Sequence, residues 1–571
     1  VHIANYSRRT KAVFLLAFVF FASAIIRLLY IQFFRASYLD EIAAKQHNYF
    51  LELEPRRGTI YDRNLKPQAV NLPCDSVFAA PLEMKEGDKE KAVSQLAAVL
   101  KLDAGSLRKK LSKKKSFVWI ARKVSQGQAD DLRMRNIKGI GFVKESKRCY
   151  PNSYLASQII GFAGLDNVGL EGLELYYNRH LKGSPGRAMV LRDAHSTKLD
   201  IYGNTEPPQD GSDVVLTIDE MIQYIAEREL DKAFRSSRSR GGSIVVMDPK
   251  TGQILAMASR PSFDSNMYRG VSKDQMRNRS VCDMFEPGSV FKIVTAAAVL
   301  EEGKLREQDR IFCENGEWHI GRRTLHDHTA HGSLTFQEVI ENSSNIGTCK
   351  AAMTLGPATL YKYVKLFGFG SKSGIAIPGE VSGMVRNLSQ WSGSSMTAVP
   401  MGQEVGVTAL QLASALSAIA NGGTLMQPYI TMEIRDRSGK IEKSYAPVPV
   451  HTVISSQTAA RVRKILVGVV ENGTGKLAKS KDFTAGGKTG TAQKIENGTY
   501  SHSKFMASFI GFAPAEDPQV VIAVVLDEPR GGYYGGVISA PVFKNVAGDV
   551  LKYLKNRQDI PAGENEITSA Y

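Results

Sequence analysis

A chain of 571 residues, 43% apolar and 23% charged, has a globular composition and is too long for one ordinary core, so two or three domains are expected. Its formal charge of +16 calls for an acidic partner, with nucleic acid the usual first candidate. Five cysteines at wide, unpatterned spacings (Cys74, Cys149, Cys282, Cys313, Cys349) imply no disulfide framework; one bridge remains open, and buried small hydrophobes account for the rest.

The N-terminus argues against nucleic acid. From Ala12 to Phe34 the sequence is apolar except for Ser23, Arg27 and Gln32, long enough to cross a hydrocarbon layer as a helix. Arg8, Arg9 and Lys11 precede it without an acid, whereas Arg35 and Lys45 after it are offset by Asp40 and Glu41. That bias keeps residues 1–11 cytoplasmic and places the remainder outside. Ala22-Ser23-Ala24 mimics a signal-peptide cleavage site, but it lies inside the apolar run, which favours an uncleaved anchor. Residues 101–123 then carry nine Lys or Arg against Asp103, a patch suited to anionic lipid or wall polymer, or simply a solvated helix face.

Next come the strand-and-turn segment "EPRRGTIYDRNLKP", a charged helical stretch to about Arg135, and a Gly-rich segment through Arg187. The Pro- and Gly-rich "GNTEPPQDGSD" at 203–213 is the best domain boundary. Beyond it, "VVLTIDEMIQYIAERELDKAF" reads as a strand leading into an amphipathic helix. Hairpins are expected at "GGSIVVMDPKTGQILAMAS" and at "MASFIGFAPAEDPQVVIAVVLDEP", with helical patterns at 288–302, 336–355 and "TALQLASALSAIANGG" between them. Strands at both ends with helices between predict an α+β fold in which one antiparallel sheet carries a helical cluster.

The chemistry centres on "FEPGSVFKIVTAAAVL". Ser289 falls in the first turn of a helix, where free N–H groups and the dipole favour an alkoxide. Lys292 at i+3 shares its face, and Phe291, Ile293 and Val294 desolvate it, which makes a neutral amine available as a base. Ser-x-x-Lys alone is a weak signal. Two further motifs strengthen it: Ser343-Ser344-Asn345, a loop that can offer a hydroxyl and a carboxamide, and Lys488-Thr489-Gly490-Thr491 on an expected strand, where Gly486, Gly487 and Gly490 allow close approach of a ligand. The Ser289 and Thr491 N–H groups are candidates for an oxyanion hole. The three motifs in this order are the signature of serine β-lactamases and penicillin-binding proteins.

From about Arg57 onward the chain resembles a class B penicillin-binding protein, a monofunctional peptidoglycan D,D-transpeptidase. "RRGTIYDRN", "RCYP", "GLDNVGLEGLE", "GQEVGVTALQLASA" and "YYGGVISAPVF" carry the resemblance outside the catalytic triplet. "FEPGS" and "GVVENGTGKLAKSKDFTAGGKTGTAQK" resemble division-specific, FtsI-like members more than elongation-specific ones. Leu65 stands where a glycine is common, and Cys149 where an aromatic is frequent.

The resemblance implies a cytoplasmic tail (1–11), a transmembrane anchor (12–34), a non-catalytic pedestal or dimerisation domain (35–212), a transpeptidase domain (213–557) and a polar tail (558–571). It implies that Ser289 attacks the penultimate D-alanine carbonyl of a stem peptide, Lys292 takes its proton, and Ser343 relays a proton to the leaving D-alanine. Asn345 would bind the peptide amide, and Lys488, counted with the catalytic residues, would fix the terminal carboxylate with Thr489 and Thr491; Gly490 belongs to the same substrate-binding strand. β-Lactams would acylate Ser289. No cofactor or metal is called for. Implied partners are a membrane glycosyltransferase of the shape, elongation, division and sporulation family, met through Arg27 and the span, and other division proteins. The implied location is the bacterial cytoplasmic membrane.

Rival readings are an elongation-specific transpeptidase, a serine β-lactamase or β-lactam sensor, and a non-catalytic scaffold; Ser-Ser-Asn in place of Ser-Asp-Asn and the long N-terminal region count against a β-lactamase. A metal site at His326, His328 and His331 has ligand-like spacing, against a bland reading as surface or cleft-rim histidines.

Overall fold

The computed structural model describes residues 2–36, 38, 48–115, 117–192, 199–201, 206–321, 323–496 and 498–558. The expected tail beyond Gln558, and Asp40, Glu41 and Lys45 of the orientation argument, lie outside the described residues. The chain divides into two compact units, residues 1–56 with 183–210 and residues 57–182 with 211–571.

In the first unit His2–Phe34 is one helix. Its stretch Arg9–Phe34 has a mean hydropathy of 2.5, and no part of its most apolar window is buried. By length and composition it can cross a membrane. Asn48–Leu53, Gly186–Arg192 and Leu199–Ile201 pair in that order as an antiparallel sheet.

The second unit is α+β, as expected. Residues 86–134 differ from the expected helical stretch: they form helices Glu86–Leu100, Ala104–Leu111 and Gln126–Met134, interrupted by the strand Val118–Val124. Asp103 and Ser125 start separate helices by accepting the Ser106 and Gln128 N–H groups, while the β-branched and aromatic run between them favours a strand. The sheet in this region also crosses the sequence boundary at 203–213. Asp213–Leu216 lies between Ile60–Tyr61 and Thr431–Arg435, so residues from both sides share one sheet.

Three of the quoted motifs meet here in one buried ion cluster. Glu174 of "GLEGLE" accepts Arg57 Nε of "RRG" at 2.7 Å and Arg148 Nε of "RCYP" at 2.6 Å, and all three side chains are buried. Tyr150 donates to Glu174 at 3.2 Å and accepts the Ala163 N–H at 2.7 Å. Burial pushes the Glu174 carboxyl up, but Arg148 and Arg57 outweigh it and hold it below the usual carboxylate range.

The second sheet runs in the order Ile254–Arg260, Gly241–Met247, Val520–Asp527, Thr499–Ala513, Gly486–Glu496, antiparallel throughout, and both expected hairpins are in it. Its strand Gly241–Met247 is buried at every position, and Val520–Asp527 at all but its last, because both faces are covered. Ile244 and Val246 face one core with Leu230 and Phe543 of the helices Glu220–Ser236 and Ala540–Gln558. Val245 and Met247 face the other with Leu412 and Leu416 of the helix Ala409–Ala420. The helix Lys292–Glu301 belongs to that second core and is buried from Lys292 to Leu300, consistent with a sequence apolar on all sides but for Thr295 and its first and last residues.

Candidate active site

Ser289 sits in a tight 3-10 turn, Gly288–Phe291, that runs directly into the helix Lys292–Glu301. The turn is wedged between two backbones. Gly288 has φ +56° and donates its N–H to Gly402 O at 3.2 Å, and a Cβ on Gly402 would come within 2.2 Å of Gly288 O. On the other side, a Cβ on Gly490 would meet Ser508 Oγ at 2.4 Å, Val290 Cγ2 at 2.6 Å and Pro287 O at 2.9 Å. Gly486 and Gly487 likewise abut the Phe512 and Phe509 rings. These glycines therefore admit the protein's own packing, where the sequence suggested room for a ligand.

The helical pattern at 336–355 is broken into Phe336–Glu341 and Asn345–Met353. Ser343 at the break has φ +59°, a left-handed conformation that costs a serine about 1 kcal/mol or more and ends the first helix. Ser344 starts the second by accepting the Gly347 N–H at 2.9 Å. The left-handed turn places Ser343 Oγ between two lysines, 3.2 Å from Lys292 Nζ and 2.9 Å from Lys488 Nζ.

Both lysines have no exposed surface. Lys292 Nζ donates to Ser343 O at 2.6 Å and to Asn345 Oδ1 at 2.8 Å. Burial lowers its pKa to about 8, against the opposing pull of the Asp327 carboxylate. Lys488 is pushed well below its ordinary value by burial and by the neighbouring Lys292 charge. Two ammonium groups sharing one hydroxyl repel each other, so near neutral pH the pair favours a state with at least one neutral amine.

The Ser289 hydroxyl is half-exposed and takes part in no hydrogen bond with the described residues; Lys292 spends its bonds on Ser343 and Asn345. A neutral Lys292 gives its two N–H groups to Ser343 O and Asn345 Oδ1 and meets Ser343 Oγ at 3.2 Å with its lone pair, which must turn to the serine one turn ahead to take its proton. Lys488 also differs from the sequence reading. Its Nζ reaches Ser343 Oγ and the Thr489 carbonyl at 3.3 Å from a fully buried position, where a carboxylate-binding group would face the cleft. Thr489 Oγ1 pairs with Thr474 Oγ1 at 2.8 Å, and Thr491 Oγ1 accepts the Gly535 N–H at 3.1 Å. Among the described residues no strand pairs with the outer side of Gly486–Glu496, the edge of its sheet, which suits it to pair with an extended peptide.

Two residues of this site escape sequence reasoning. Asp327 accepts the Asn345 and Ile346 N–H groups, the latter at 3.0 Å, and the Ser344 hydroxyl at 2.5 Å; His326 O takes Asn345 Nδ2 at 2.9 Å. The "HDH" segment thus clamps the Ser-Ser-Asn loop. Among the described residues no group of three or more His, Cys, Asp or Glu is placed to hold a metal ion. Thr474 is the second, and its only signal was its place in the quoted "ENGTGK". All five cysteines are free.

An antiparallel sheet backed by helices, with a serine at a helix mouth, two buried lysines and a Lys-Thr-Gly edge strand, defines the active-serine penicillin-recognising class. This chain belongs to the class B penicillin-binding proteins: the penicillin-binding protein transpeptidase domain matches residues 242–548 and the penicillin-binding protein dimerisation domain residues 52–216. It is 38% identical to the stage V sporulation protein D of Bacillus subtilis (strain 168), over 100% of this chain and 89% of that protein. It is 32% identical to the peptidoglycan D,D-transpeptidase FtsI of Escherichia coli (strain K12), over 89% of this chain and 85% of that protein. The crystal structure of penicillin-binding protein 3 of Mycobacterium tuberculosis complexed with aztreonam is similar, with a TM-score of 0.69 and 29% identity over 90% of this chain and 98% of that one.

Proposed function

We propose that this protein is a peptidoglycan D,D-transpeptidase that cross-links stem peptides through an acyl-enzyme on Ser289. The observation that carries the reading is the Ser343 hydroxyl held between two buried lysines, one with a pKa of about 8, beside an uncommitted Ser289 hydroxyl at a helix mouth. Lys292, neutral, accepts the Ser289 proton as Oγ bonds to the penultimate D-alanine carbonyl carbon. The Ser289 and Thr491 N–H groups stabilise the oxyanion. The C–N bond then breaks, and the D-alanine amine leaves with a proton passed from Lys292 through Ser343, to which Lys488 also donates. The amine of a second stem peptide attacks the ester, loses its proton by the reverse route and frees Ser289.

Asn345 holds Lys292 through its Oδ1, and its side chain borders the peptide site. Thr489, Gly490 and Thr491 form the edge against which the donor peptide lies, with the threonine hydroxyls near its terminal carboxylate. A β-lactam, as a mimic of the D-alanyl-D-alanine end, acylates the same serine. The test is incubation of the full-length protein with glycan strands bearing pentapeptide stems. Released D-alanine in step with new cross-linked dimers is expected; D-alanine release without dimers, or no release, contradicts the proposal.

The apolar helix and the class B relatives support single-pass membrane anchoring. We place the N-terminus in the cytoplasm and the catalytic domain outside, in the bacterial cytoplasmic membrane. A polytopic glycosyltransferase is the partner contacted by Arg27 and the span. Exchange of the span for an unrelated one is expected to abolish recovery of that complex. The motif "FEPGS" supports a septal role in division. The 38% identity to a protein named for stage V of sporulation favours a second reading, in a sporulating cell. Depletion that yields filaments supports the first reading, and depletion that spares division but blocks spore maturation the second.

A further inference from the structure

The basic segment 101–123, with nine Lys or Arg against one Asp, accounts for half of the chain's formal excess and plays no part in the site above. Four of the nine are committed. Arg108 pairs with Glu90 at 3.0 Å, Lys110 Nζ donates to Ile120 O at 2.8 Å, Arg122 pairs with Glu145 and Asp166, and Lys123 Nζ donates to Asn167 Oδ1 at 3.1 Å. Lys109, Lys113, Lys114 and Lys115 are exposed and form no ion pair with a described residue. Asp103 is used as a helix cap, and the exposed Glu83 offsets one charge.

Exposed apolar groups lie among these lysines. Leu82 is 62% exposed, and its N–H donates to Lys115 O at 3.3 Å, which fixes it beside the lysine run. Phe117 is 39% exposed, stacked on Phe78 at 4.7 Å and set edge-on to Trp119 at 4.8 Å, so the ring is held firmly at the surface. Arg122 lies over the Trp119 ring at 5.5 Å. A solvated helix face needs no rigid aromatic, and a polyanion asks only for charge. A lysine run that ends beside an outward leucine and phenylalanine, with Trp119 against the phenylalanine, matches the interfacial zone of a bilayer, where rings sit at headgroup depth and ammonium groups meet phosphate.

We propose that Lys109, Lys113, Lys114, Lys115, Leu82 and Phe117 form a docking surface for an anionic phospholipid membrane. The chain's own apolar helix Arg9–Phe34 makes this an intramolecular event once it is in a bilayer. Leu82 and Phe117 enter the headgroup and acyl boundary while the lysines face lipid phosphates.

The experiment uses the full-length protein in nanodiscs of phosphatidylcholine with or without phosphatidylglycerol, the acyl chains carrying bromine. Trp119 emission is read as the difference between the wild type and Trp119→Phe. Quenching confined to the anionic discs is expected, relieved by raised salt. Combined Lys113→Gln, Lys114→Gln and Lys115→Gln should lower the docked-to-undocked ratio about 100-fold, from about fivefold per lysine. An unchanged thermal unfolding midpoint shows that this triple variant is folded. Equal quenching in both lipids, absence of quenching, or quenching that survives the triple substitution overturns the proposal. A response of Trp119 to soluble poly(glycerol phosphate) without quenching by the bilayer also overturns it, in favour of a polymer site.

Discussion

Asp327 is the sharpest test of how the site is held, because it serves as a helix cap and as a counter-charge at once. Its carboxylate accepts two backbone N–H groups at the start of the Asn345–Met353 helix and the Ser344 hydroxyl. Hydrogen bonds to a charged group contribute about 1.5–3 kcal/mol each in isolation, and an N-cap about 1 kcal/mol, but the three share one half-exposed carboxylate. Asp327→Ala should therefore cost about 3 kcal/mol and Asp327→Asn, which keeps one acceptor oxygen, about 1 kcal/mol. The second effect is on the base. Burial sets the Lys292 pKa at about 8, and the Asp327 charge holds it up from a still lower value. Removing that charge lowers the pKa, so more Lys292 is neutral at a given pH below it, and the acidic limb of the acylation profile moves to lower pH. Acylation at the alkaline plateau should fall, by about tenfold for Asp327→Asn, because the Ser343 turn loses its anchor. Penicillin acylation rates by intact mass across pH, with urea unfolding of the same variants, measure both. A limb that stays in place or moves to higher pH, with stability unchanged, refutes the reasoning.

Gly490→Ala places a methyl against Ser508, Val290 and the Pro287 carbonyl, which must displace the Ser289 turn. A cost of about 3 kcal/mol and acylation slowed by about 100-fold are expected; wild-type kinetics would contradict the packing role. Glu174→Gln leaves Arg57 and Arg148 buried beside a neutral amide and should destabilise by about 3–5 kcal/mol in urea unfolding. Leu65, at φ +60°, occupies a conformation that glycine adopts without steric cost. Leu65→Gly is expected to stabilise by about 1 kcal/mol, and a loss of stability would contradict that account.

The candidate site was legible where its chemistry is carried by short spacings. Ser289 with Lys292, Ser343 with Asn345, and Lys488 through Thr491 each lie within one turn or one strand, and the fold brings Lys292, Asn345 and Lys488 together around Ser343. The sheet was legible because successive strand positions such as Ile244 and Val245, on opposite faces, both needed an apolar partner. Other features depend on chain segments that meet only in three dimensions. Asp327 lies 17 residues before the Ser344 it holds, and its cap has no local pattern. Arg57 and Glu174 are 117 residues apart, so the motifs that mark the family gave no sign of sharing one buried charge cluster. The break at Ser343 was hidden because apolar residues continue in helical register through it; the left-handed turn follows from the caps and lysines around it. The glycines of the Lys-Thr-Gly strand were assigned the right property for the wrong neighbour, since the atoms that exclude a side chain belong to Val290, Pro287 and the phenylalanines of the adjoining strand.

The central claim is that Ser289 is the acylated nucleophile of a transpeptidase. Intact mass of the full-length protein after incubation with a penicillin, beside Ser289→Ala, tests it most directly. The account predicts a long-lived adduct of one whole penicillin on the wild type and none on the variant. An adduct that persists in Ser289→Ala, one that disappears within seconds, or no adduct at all would contradict it.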